Sequence, residues 1–389
     1  MKRNNKELEL YIHIPFCVQK CAYCDFLSFR ADGDVVEAYV SALLKEIMSY
    51  QKDKTFDDEY QVTSVFLGGG TPSLLTERQI TDIFDVLKET FSLLPDAEIT
   101  IEANPGTVTA SKLQCYRNCG INRISFGLQS TDNEALGLLG RIHTYEEFLE
   151  SYQLARTCGF DNINVDLISA IPRQTLANWE ETLQKVVELQ PEHISAYSLI
   201  VEEGTPFAKY YGVGCPKQQE LPDEDTERLI YQRTEEVLES DGYARYEISN
   251  YAKAGYECKH NLGYWERTEY LGLGLGAASL IQDTRFHNTE DMGIYLANSG
   301  YPTKIQCEKT MLTQKEQMEE FFFLGLRKME GVSFQKFEET FGKDNLTIYR
   351  DKIEKLKHKE LLEESNGYLR LTKQGIDVSN YVFYELLYD

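Results

Sequence analysis

The segment LELYIHIPFCVQKCAYCDF, residues 8–26, is the most informative part of this chain about its fold, because it joins a strand pattern to three closely spaced cysteines. Leu8, Leu10, Ile12 and Ile14 are apolar at alternate positions, which predicts a β-strand. The spacing Cys-x3-Cys-x2-Cys follows at once, and chance gives it to roughly one in 200 chains of this length and cysteine content. The sequence therefore predicts a strand that ends in a loop carrying three metal-ligating thiols.

Three thiols on one loop can hold three irons of a four-iron cluster and leave the fourth iron open to another ligand. Structural zinc is the alternative, but zinc normally takes four ligands from paired knuckles. Cys115 and Cys119 come closest to a second pair, but they sit at i, i+4 on a predicted helix and have no partner pair. Disulfides are not expected without a secretory signal, because intracellular thiols are kept reduced. His13 is either a fourth ligand or, as its place on the strand favours, a packed neighbour of the site. The pattern favours an iron–sulfur cluster on Cys17, Cys21 and Cys24.

Composition and charge restrict the partners and the compartment. With 389 residues, 42% of them hydrophobic, the chain can form a large domain and a smaller one. Its net charge of −23 opposes a standing role on nucleic acid or anionic membranes. The first residues lack the apolar core of a signal peptide, and no run reaches the roughly 18 apolar residues of a membrane span. We therefore expect a cytoplasmic protein that neither binds nucleic acid nor is integral to a membrane.

Apolar β-rich runs alternate with amphipathic runs from residue 8 to about residue 280, which indicates repeated βα units and a parallel sheet. The predicted strands are 8–14, 62–68, 97–102, 121–126, 162–169 and 193–200. The predicted helices between them are 34–50, 76–93, 109–119, 144–157 and 175–190, followed by a helix at 220–242 and an edge strand at 246–250. Six such strands fit an α/β fold with an open, partial (β/α)6 barrel, in which ligands gather at the carboxyl ends of the strands.

The pattern changes after residue 310, so we predict one domain at 1–310 and a second at 311–389. Thr313 and Glu316 form a capping box that starts a helix in which Phe321, Phe322 and Leu324 are expected to be buried. Helices at 333–341 and 345–359 and a hairpin turning at Asn366-Gly367 follow. This order resembles a winged helix, and the acidic chain favours a protein-contact module over a DNA-binding one.

Polar and glycine residues recur where the predicted strands end. A Gly-Gly-Gly-Thr-Pro run follows the second strand, where glycines let backbone groups approach a ligand closely. Glu102 ends the third strand, and its carboxylate could accept hydrogen bonds from an ammonium group or a ribose. Gln129, Arg141 and Asp166 follow in the next units. Each alone is typical of a surface or salt-bridging residue, but together they describe the rim of one pocket.

These motifs together resemble the radical S-adenosylmethionine (SAM) superfamily, in its coproporphyrinogen-dehydrogenase-like branch. The resemblance covers essentially the full length and rests on Cys-x3-Cys-x-Tyr-Cys, Gly-Gly-Gly-Thr-Pro, Glu-Ala-Asn-Pro, Ser-Phe-Gly-Leu-Gln-Ser and Asp-Leu-Ile. It implies that the three cysteines hold a [4Fe–4S] cluster and that the amine and carboxylate of SAM chelate the open iron of this cluster. On reduction, such a cluster cleaves SAM to give a 5′-deoxyadenosyl radical. The sequence leaves open whether this chain cleaves SAM or only binds it.

The same resemblance implies which residues contact one or two SAM molecules. A backbone segment near the Gly272-x-Gly274-x-Gly276 run is expected to pack on the adenine. The residues expected to bind SAM are Tyr11, Tyr23, Gly69, Gly70, Thr71, Glu102, Gln129, Arg141, Asp166, Ile200 and Ala278.

Two features set this chain apart from the porphyrinogen dehydrogenases of the branch. The dehydrogenase pattern has a fourth cysteine two residues after the third, and this chain has Phe26 there. The segment His260-Asn261-x-x-Tyr264-Trp265 is similar to the motif associated with HemW-type heme chaperones. An imidazole can ligate heme iron while neighbouring aromatic rings cover the macrocycle. A structural histidine in an aromatic cluster is the alternative explanation.

We therefore expect a heme chaperone on a radical SAM scaffold, with heme and an apo-hemoprotein recipient as its partners and His260, Asn261, Tyr264 and Trp265 as candidate heme contacts. A homodimer is compatible with the sequence, which does not decide it. The rival function is an oxygen-independent coproporphyrinogen III dehydrogenase of porphyrin biosynthesis. Radical degradation of heme ranks third, because the His-Asn-x-x-Tyr-Trp segment points elsewhere.

Overall fold

The computed structural model describes residues 6–52, 56 and 59–387, and its centre is a sheet of six parallel strands in sequence order. These strands are β1 (Lys6–Ile14), β2 (Tyr60–Gly69), β3 (Leu93–Ala103), β4 (Arg123–Gln129), β5 (Ile163–Ser169) and β6 (His193–Ser198). The helices that connect and follow them are α1 (Gly33–Ser49), α2 (Glu77–Thr90), α3 (Ala110–Cys119), α4 (Asn133–Leu139), α5 (Tyr145–Thr157), α6 (Leu176–Glu188), α7 (Pro206–Tyr211) and α8 (Glu224–Ser240). Within the described ranges the sheet does not close on itself, so the predicted partial (β/α)6 barrel is confirmed.

Shorter strands extend the parallel sheet at both edges to twelve strands. Strand β9 (Tyr270–Leu273) lies parallel to β1, and β10 (Ala278–Ile281), β11 (Thr284–Asn288) and β12 (Gln306–Met311) continue antiparallel from it. At the other edge β8 (Asn250–Ala252) pairs with β6, and β7 (Ala244–Glu247) pairs with β8. The predicted edge strand at 246–250 is confirmed in part: β7 is the edge strand but ends at Glu247, and residues 248–249 form the turn to β8.

Three further helices belong to this part of the chain: α9 (Lys259–Glu266), α10 (Met292–Asn298) and α11 (Pro302–Ile305). Helix α9 carries the His-Asn-x-x-Tyr-Trp segment. The sequence did not predict α4, α7, α9, α10 or α11 as helices, because each has eight residues or fewer and too few turns to show a helical period.

The parallel register brings the carboxyl ends of β1 to β6 to one edge of the sheet, where Glu102 lies beside Ser125 and Gly127 beside Asp166. Successive residues of a strand point to opposite faces. The face toward the helices is apolar and buried, as Leu10 and Ile12 of β1 show. The face toward the barrel interior carries polar side chains on most strands, so the interior is suited to a polar ligand.

A second group of elements lies C-terminal to the large sheet. Thr313 caps α12 (Gln314–Gly325) with Glu316 in a capping box, as predicted. The predicted hairpin turn is also confirmed, because Asn366 and Gly367 both have the positive φ angles, 52° and 80°, that a two-residue hairpin turn requires. Phe321 and Leu324 are only half-buried. The remaining elements are β13 (Val332–Ser333), α13 (Phe334–Phe341), α14 (Lys343–His358), β14 (Leu362–Ser365), β15 (Tyr368–Leu371), α15 (Lys373–Asp377) and α16 (Ser379–Leu386).

These C-terminal elements bury a hydrophobic cluster of their own. It includes Phe322, Phe337, Tyr349 and Leu369, and its members run from Met318 to Leu386. The three helices α12 to α14 and the three-stranded sheet β13-β15-β14 form the predicted winged-helix-like module. The domain boundary at residues 310 and 311 stays a prediction. None of the helices in the described part of the chain is long and apolar enough to cross a membrane.

Candidate functional site

The cysteine loop leaves the carboxyl end of β1 and returns beside it. The backbone N–H of Cys17 donates to the carbonyl of Phe29 at 3.0 Å, and the N–H of Phe29 donates to Pro15 at 2.9 Å. The far side of the loop is tied to the end of α4, because the N–H of Ala22 donates to Leu139 at 3.0 Å. Two backbone anchors therefore hold the loop over the open end of the barrel.

The loop and the strand ends enclose a cavity of about 520 Å³. All three cysteines line it, and each is a half-buried free thiol. Phe26 lies at the same wall with 65% of its surface exposed. Of the residues predicted to bind SAM, the cavity brings together Tyr23, Gly69, Gly70, Thr71, Glu102, Gln129, Asp166 and Ile200.

The three thiols lie on one loop at the wall of the cavity. In the described part of the chain, no three Cys, His, Asp or Glu side chains gather closely enough to hold a single metal ion. A four-iron cluster differs, because it places each thiolate on its own iron. Burial raises the pKa of Cys24, and the neighbouring Cys21 and Cys17 raise it further. Hydrogen-bond donors approach two of the sulfurs, from Arg141 Nη1 to Cys21 Sγ at 3.5 Å and from Thr71 Oγ1 to Cys17 Sγ at 3.6 Å.

Two glycines let the chain fold back tightly beside the loop. Gly69 has φ +109°, and a Cβ there would lie 2.5 Å from the His13 ring. A Cβ on Gly70 would lie 2.6 Å from the carbonyl oxygen of Phe16. A side chain at either position would therefore displace the start of the cysteine loop, which is the physical reason for the glycine run.

Glu102 is the carboxyl group at the centre of the cavity wall. It accepts a hydrogen bond from the backbone N–H of Gly69 at 3.1 Å. Withdrawal from water raises its pKa to about 8; the charge of Asp166 adds to this, while Gly69 and Arg123 oppose it. Asp166 accepts from Ser125 Oγ at 2.9 Å and from Asn164 Nδ2 at 2.8 Å. The cavity thus offers two adjacent acceptors to a polar ligand that carries amine or hydroxyl donors.

Three residues predicted to contact SAM lie outside the cavity lining. Tyr11 is packed in the barrel interior, where its hydroxyl meets His13 Nδ1 at 3.1 Å and its ring stacks on Phe66. Arg141 lies behind the cysteine loop, and Ala278 begins β10, between β9 and β11. His13 is 7% exposed, and its Nε2 meets the carbonyl of Leu27 at 2.8 Å, so it packs against the loop as a supporting residue.

His260 lies on the floor of the barrel, at the amino ends of the strands, rather than beside the cavity. It is 2% exposed, with Nδ1 2.7 Å from Ser64 Oγ and Nε2 3.2 Å from Tyr264 Oη. Its ring stacks on Phe66 at 5.2 Å between centroids. Burial lowers the pKa of His260 to about 3, so the imidazole is neutral. In this structure both ring nitrogens are engaged, and neither is available to a metal.

The other members of the segment surround His260 or turn away from it. The Tyr264 ring meets Tyr270 edge-on at 4.7 Å, and Asn261 is half-buried beside it. Trp265 faces the C-terminal module, where Arg327 lies 4.6 Å from its ring centre. Trp265 Nε1 has no hydrogen-bond partner among the residues that the structure describes.

A buried carboxylate fixes the amino end of α9. Glu98 Oε2 accepts from the N–H of Lys259 at 3.2 Å, and its Oε1 accepts from the N–H of His260 at 3.3 Å. Its Oε1 also accepts from Cys258 Sγ at 3.4 Å, so Cys258 is a buried structural thiol. An anion at a helix N-terminus satisfies unpaired N–H groups and the helix dipole. Glu98 therefore seats α9 on the barrel floor.

A chain of hydrogen bonds connects the cavity with α9. Asn164 donates to Asp166 and meets His193 Nδ1 at 2.6 Å, and His193 Nε2 meets Tyr246 Oη at 2.8 Å. Tyr246 Oη in turn accepts from the N–H of Cys258 at 3.3 Å. The cavity and the floor helix thus share one polar interior.

Sequence reasoning missed the polar residues that hold these groups in place, among them Asn104, Glu98, Ser64, Asn164 and His193. Asn104 stood in the Glu-Ala-Asn-Pro motif without a role. The other four are visible in the sequence only as polar residues at alternate positions of strands. This pattern predicts that they face the barrel interior, but it does not predict which groups they bind.

Comparison with known proteins agrees with this architecture. Residues 11–186 match the family model of the radical SAM superfamily, and residues 312–378 match that of the HemN C-terminal domain. A heme chaperone HemW from Lactococcus lactis is 35% identical over 97% of each chain. The HemW of Bacillus subtilis is 37% identical over 96% of this chain and 97% of its own. The HemW of Escherichia coli is 42% identical over 69% of each chain.

A solved structure shares the fold. Coproporphyrinogen III oxidase (HemN) from Escherichia coli, described as a radical SAM enzyme, superposes with a TM-score of 0.84 over 99% of this chain and 91% of its own. Its identity of 24% supports the fold alone. With near-complete HemW relatives above 30% identity, the chain belongs to the HemW family of the radical SAM superfamily.

Proposed function

We propose that this protein is a cytoplasmic heme chaperone that binds heme and passes it to apo-hemoproteins. The observation that carries the proposal is the relation to proteins named heme chaperone HemW, which extends over almost the whole of both chains. Phe26, which is exposed at the cavity mouth, supports the chaperone function, because the porphyrinogen dehydrogenases have a cysteine at that position. The likeness to the oxidase structure concerns the fold and does not favour oxidase chemistry.

The residues around the cavity fit a [4Fe–4S] cluster and SAM. Cys17, Cys21 and Cys24 would ligate three irons, and hydrogen-bond donors already approach two of their sulfurs. Glu102 and Asp166 would accept hydrogen bonds from the amine and ribose of SAM, and the glycine run would admit its methionine moiety. When bound, the cluster and SAM supply electron transfer and the radical chemistry typical of the superfamily. The residues that line the cavity would orient the bound ligand.

Heme is the cargo, and we place its ligand on α9. The neutral imidazole of His260 suits iron, but in this structure its Nδ1 bonds to Ser64 of the barrel floor and its Nε2 to Tyr264. On heme binding, His260 Nε2 would give up its contact with Tyr264 Oη and ligate the heme iron. Because His260 is buried, α9 must first move away from the barrel floor. Heme binding is therefore expected to be slower than a diffusion-limited encounter.

Heme titration of the cluster-loaded protein tests this function. We expect a saturable Soret shift in the wild type, transfer of the heme to an apo-hemoprotein, and loss of the His260-ligated spectrum in His260→Ala. His287→Ala is the matched control, since His287 is a half-exposed histidine of β11 away from α9. If His260→Ala binds heme with wild-type affinity, heme binds at another place in the protein. The exposed side chains of Phe26 and Ile200 at the cavity mouth are then the next candidates for heme contacts.

One anaerobic assay separates the chaperone from the dehydrogenase. Reduced, cluster-loaded protein is incubated with SAM and either coproporphyrinogen III or heme, and the tetrapyrroles are analysed by mass spectrometry. We expect both tetrapyrroles to be recovered unchanged. Protoporphyrinogen among the products would overturn the proposal in favour of the rival enzyme.

A further inference from the structure

Two of the three cysteines are joined by side chains that follow β2, β3 and α4. Arg141 donates to Cys21 Sγ at 3.5 Å and to Asn104 Oδ1 at 2.7 Å. Asn104 Nδ2 donates to Thr71 Oγ1 at 2.9 Å, and Thr71 Oγ1 donates to Cys17 Sγ at 3.6 Å. The result is an unbroken bracket, from one sulfur to the other, in which Asn104 is the middle member.

Each member of the bracket is held in place by the fold. Thr71 is 2% exposed, at the end of the glycine run. Arg141 follows the left-handed Gly140 that ends α4, and its Nη2 also donates to the carbonyl of Gly127 at 2.6 Å. Asn104 follows β3 directly. The amide of Asn104 accepts from one donor and donates to the other, so it orients both.

Hydrogen bonds to the sulfurs of an iron–sulfur cluster stabilise its reduced, more negative form and raise its reduction potential. A guanidinium adds a positive charge to the same effect. Arg141 and Thr71 aim such donors at two different thiols, whereas the SAM-binding role implied by the family resemblance gives Arg141 and Thr71 no task toward the sulfurs.

We propose that Arg141, Asn104 and Thr71 form a positioning bracket that sets the reduction potential of the cluster, with Asn104 as its central residue. This inference rests on the proposed cluster site. It gives Asn104 a function and gives Arg141 and Thr71 a second one beside any contact with SAM.

Redox titration of the reconstituted cluster, followed by the EPR signal of its reduced form and without SAM, tests the bracket. In Asn104→Ala we expect the ratio of reduced to oxidised cluster at the wild-type midpoint to fall about tenfold, which is 59 mV for a one-electron couple. Thr71→Val, which keeps the shape but removes the hydroxyl, should shift the midpoint in the same direction by a smaller amount. Thr71→Ser keeps the donor and should retain the wild-type midpoint. Ser125→Ala is the control, because Ser125 lines the same cavity but bonds to Asp166.

Iron content distinguishes a structural role from a redox role. If Asn104→Ala and Thr71→Val bind less iron but their loaded fraction titrates at the wild-type midpoint, the bracket only supports the loop and the proposal fails. If the wild type itself takes up no four-iron cluster, the proposed cofactor site fails first. A lowered midpoint in Thr71→Val together with a wild-type midpoint in Thr71→Ser supports the bracket even if Asn104→Ala does not fold.

Discussion

At the scale of single residues, the barrel interior is notable for carboxyl groups held away from water. Burial raises the pKa of Glu9 to about 9 and that of Glu102 to about 8. Glu9 Oε2 has no hydrogen-bond partner within the described ranges, and it lies 3.8 Å from His260 Nδ1. Both carboxyls are therefore largely protonated at neutral pH, so the interior carries less negative charge than its composition suggests.

Replacing Glu9 by Gln should make the protein less sensitive to alkaline pH. The pKa of Glu9 is raised in the folded state, so between its unfolded value of 4.5 and about 9 folding takes up a proton, and stability falls as the pH rises. Glu9→Gln has no proton to take up. From pH 6 to pH 8 we expect the wild type to lose about 2 to 3 kcal/mol relative to Glu9→Gln, at 1.36 kcal/mol per pH unit.

Urea unfolding of the cluster-free protein at several pH values measures this difference. Glu7→Gln is the control, because Glu7 is an exposed residue of the same strand. A constant difference between Glu9→Gln and the wild type across this range would show that the Glu9 carboxyl ionises normally in the folded protein.

Among the secondary-structure elements, α9 closes the barrel at the amino ends of its strands. Its amino end rests on Glu98, and its face carries His260 against Ser64 and Phe66. Gly263 allows this close seating, since a Cβ there would lie 2.0 Å from Glu9 Oε1. The segment implied to bind heme is thus held inside the molecule by the same packing that completes the barrel.

The substitution Gly263→Ala should displace α9 from its contact with the barrel. The added methyl group overlaps the Glu9 carboxyl, and overpacking of this kind costs about 1 to 3 kcal/mol. We expect a lower free energy of unfolding and a faster heme on-rate in stopped-flow mixing, because the displaced helix exposes His260.

Gly137→Ala is the matched control. Gly137 lies in α4, where an added methyl group would have no atom of the described residues within 4 Å, and alanine favours the helix. The shorter acid in Glu9→Asp should restore part of the stability of Gly263→Ala. Unchanged stability and heme kinetics in Gly263→Ala would mean that α9 is loosely seated.

At the scale of the whole molecule, ion pairs tie the C-terminal module to the barrel beside α9. Glu320 of α12 is 4% exposed and accepts from Arg267, which ends α9, and from Arg285 of β11, both at 2.9 Å. Glu266 of α9 pairs with Lys328 and Lys336. The module thus holds α9 from outside while the barrel holds it from within, and we propose that it restrains the opening that heme needs.

Glu320→Gln should weaken this connection without touching the cavity. Hydrogen bonds to charged groups contribute about 1.5 to 3 kcal/mol, so we expect a loss of about 2 kcal/mol in unfolding free energy. Heme association should become faster, and the SAM affinity should remain as in the wild type. Glu360→Gln, an exposed change in the same module, is the control. Heme kinetics identical to the wild type in a destabilised Glu320→Gln would separate the module from heme uptake.

The parallel barrel, the cysteine loop, the capping box at Thr313 and the hairpin at Asn366-Gly367 were all predictable from the sequence. These features depend on neighbouring residues, whose apolar period, spacing or turn chemistry is visible along the chain. The burial of His260, the contacts of Glu98 with the amino end of α9, and the link that Asn104 makes between Arg141 and Thr71 became visible only in the folded chain. Those contacts join residues that are tens to more than a hundred positions apart, and no local pattern records which polar side chains meet inside a barrel.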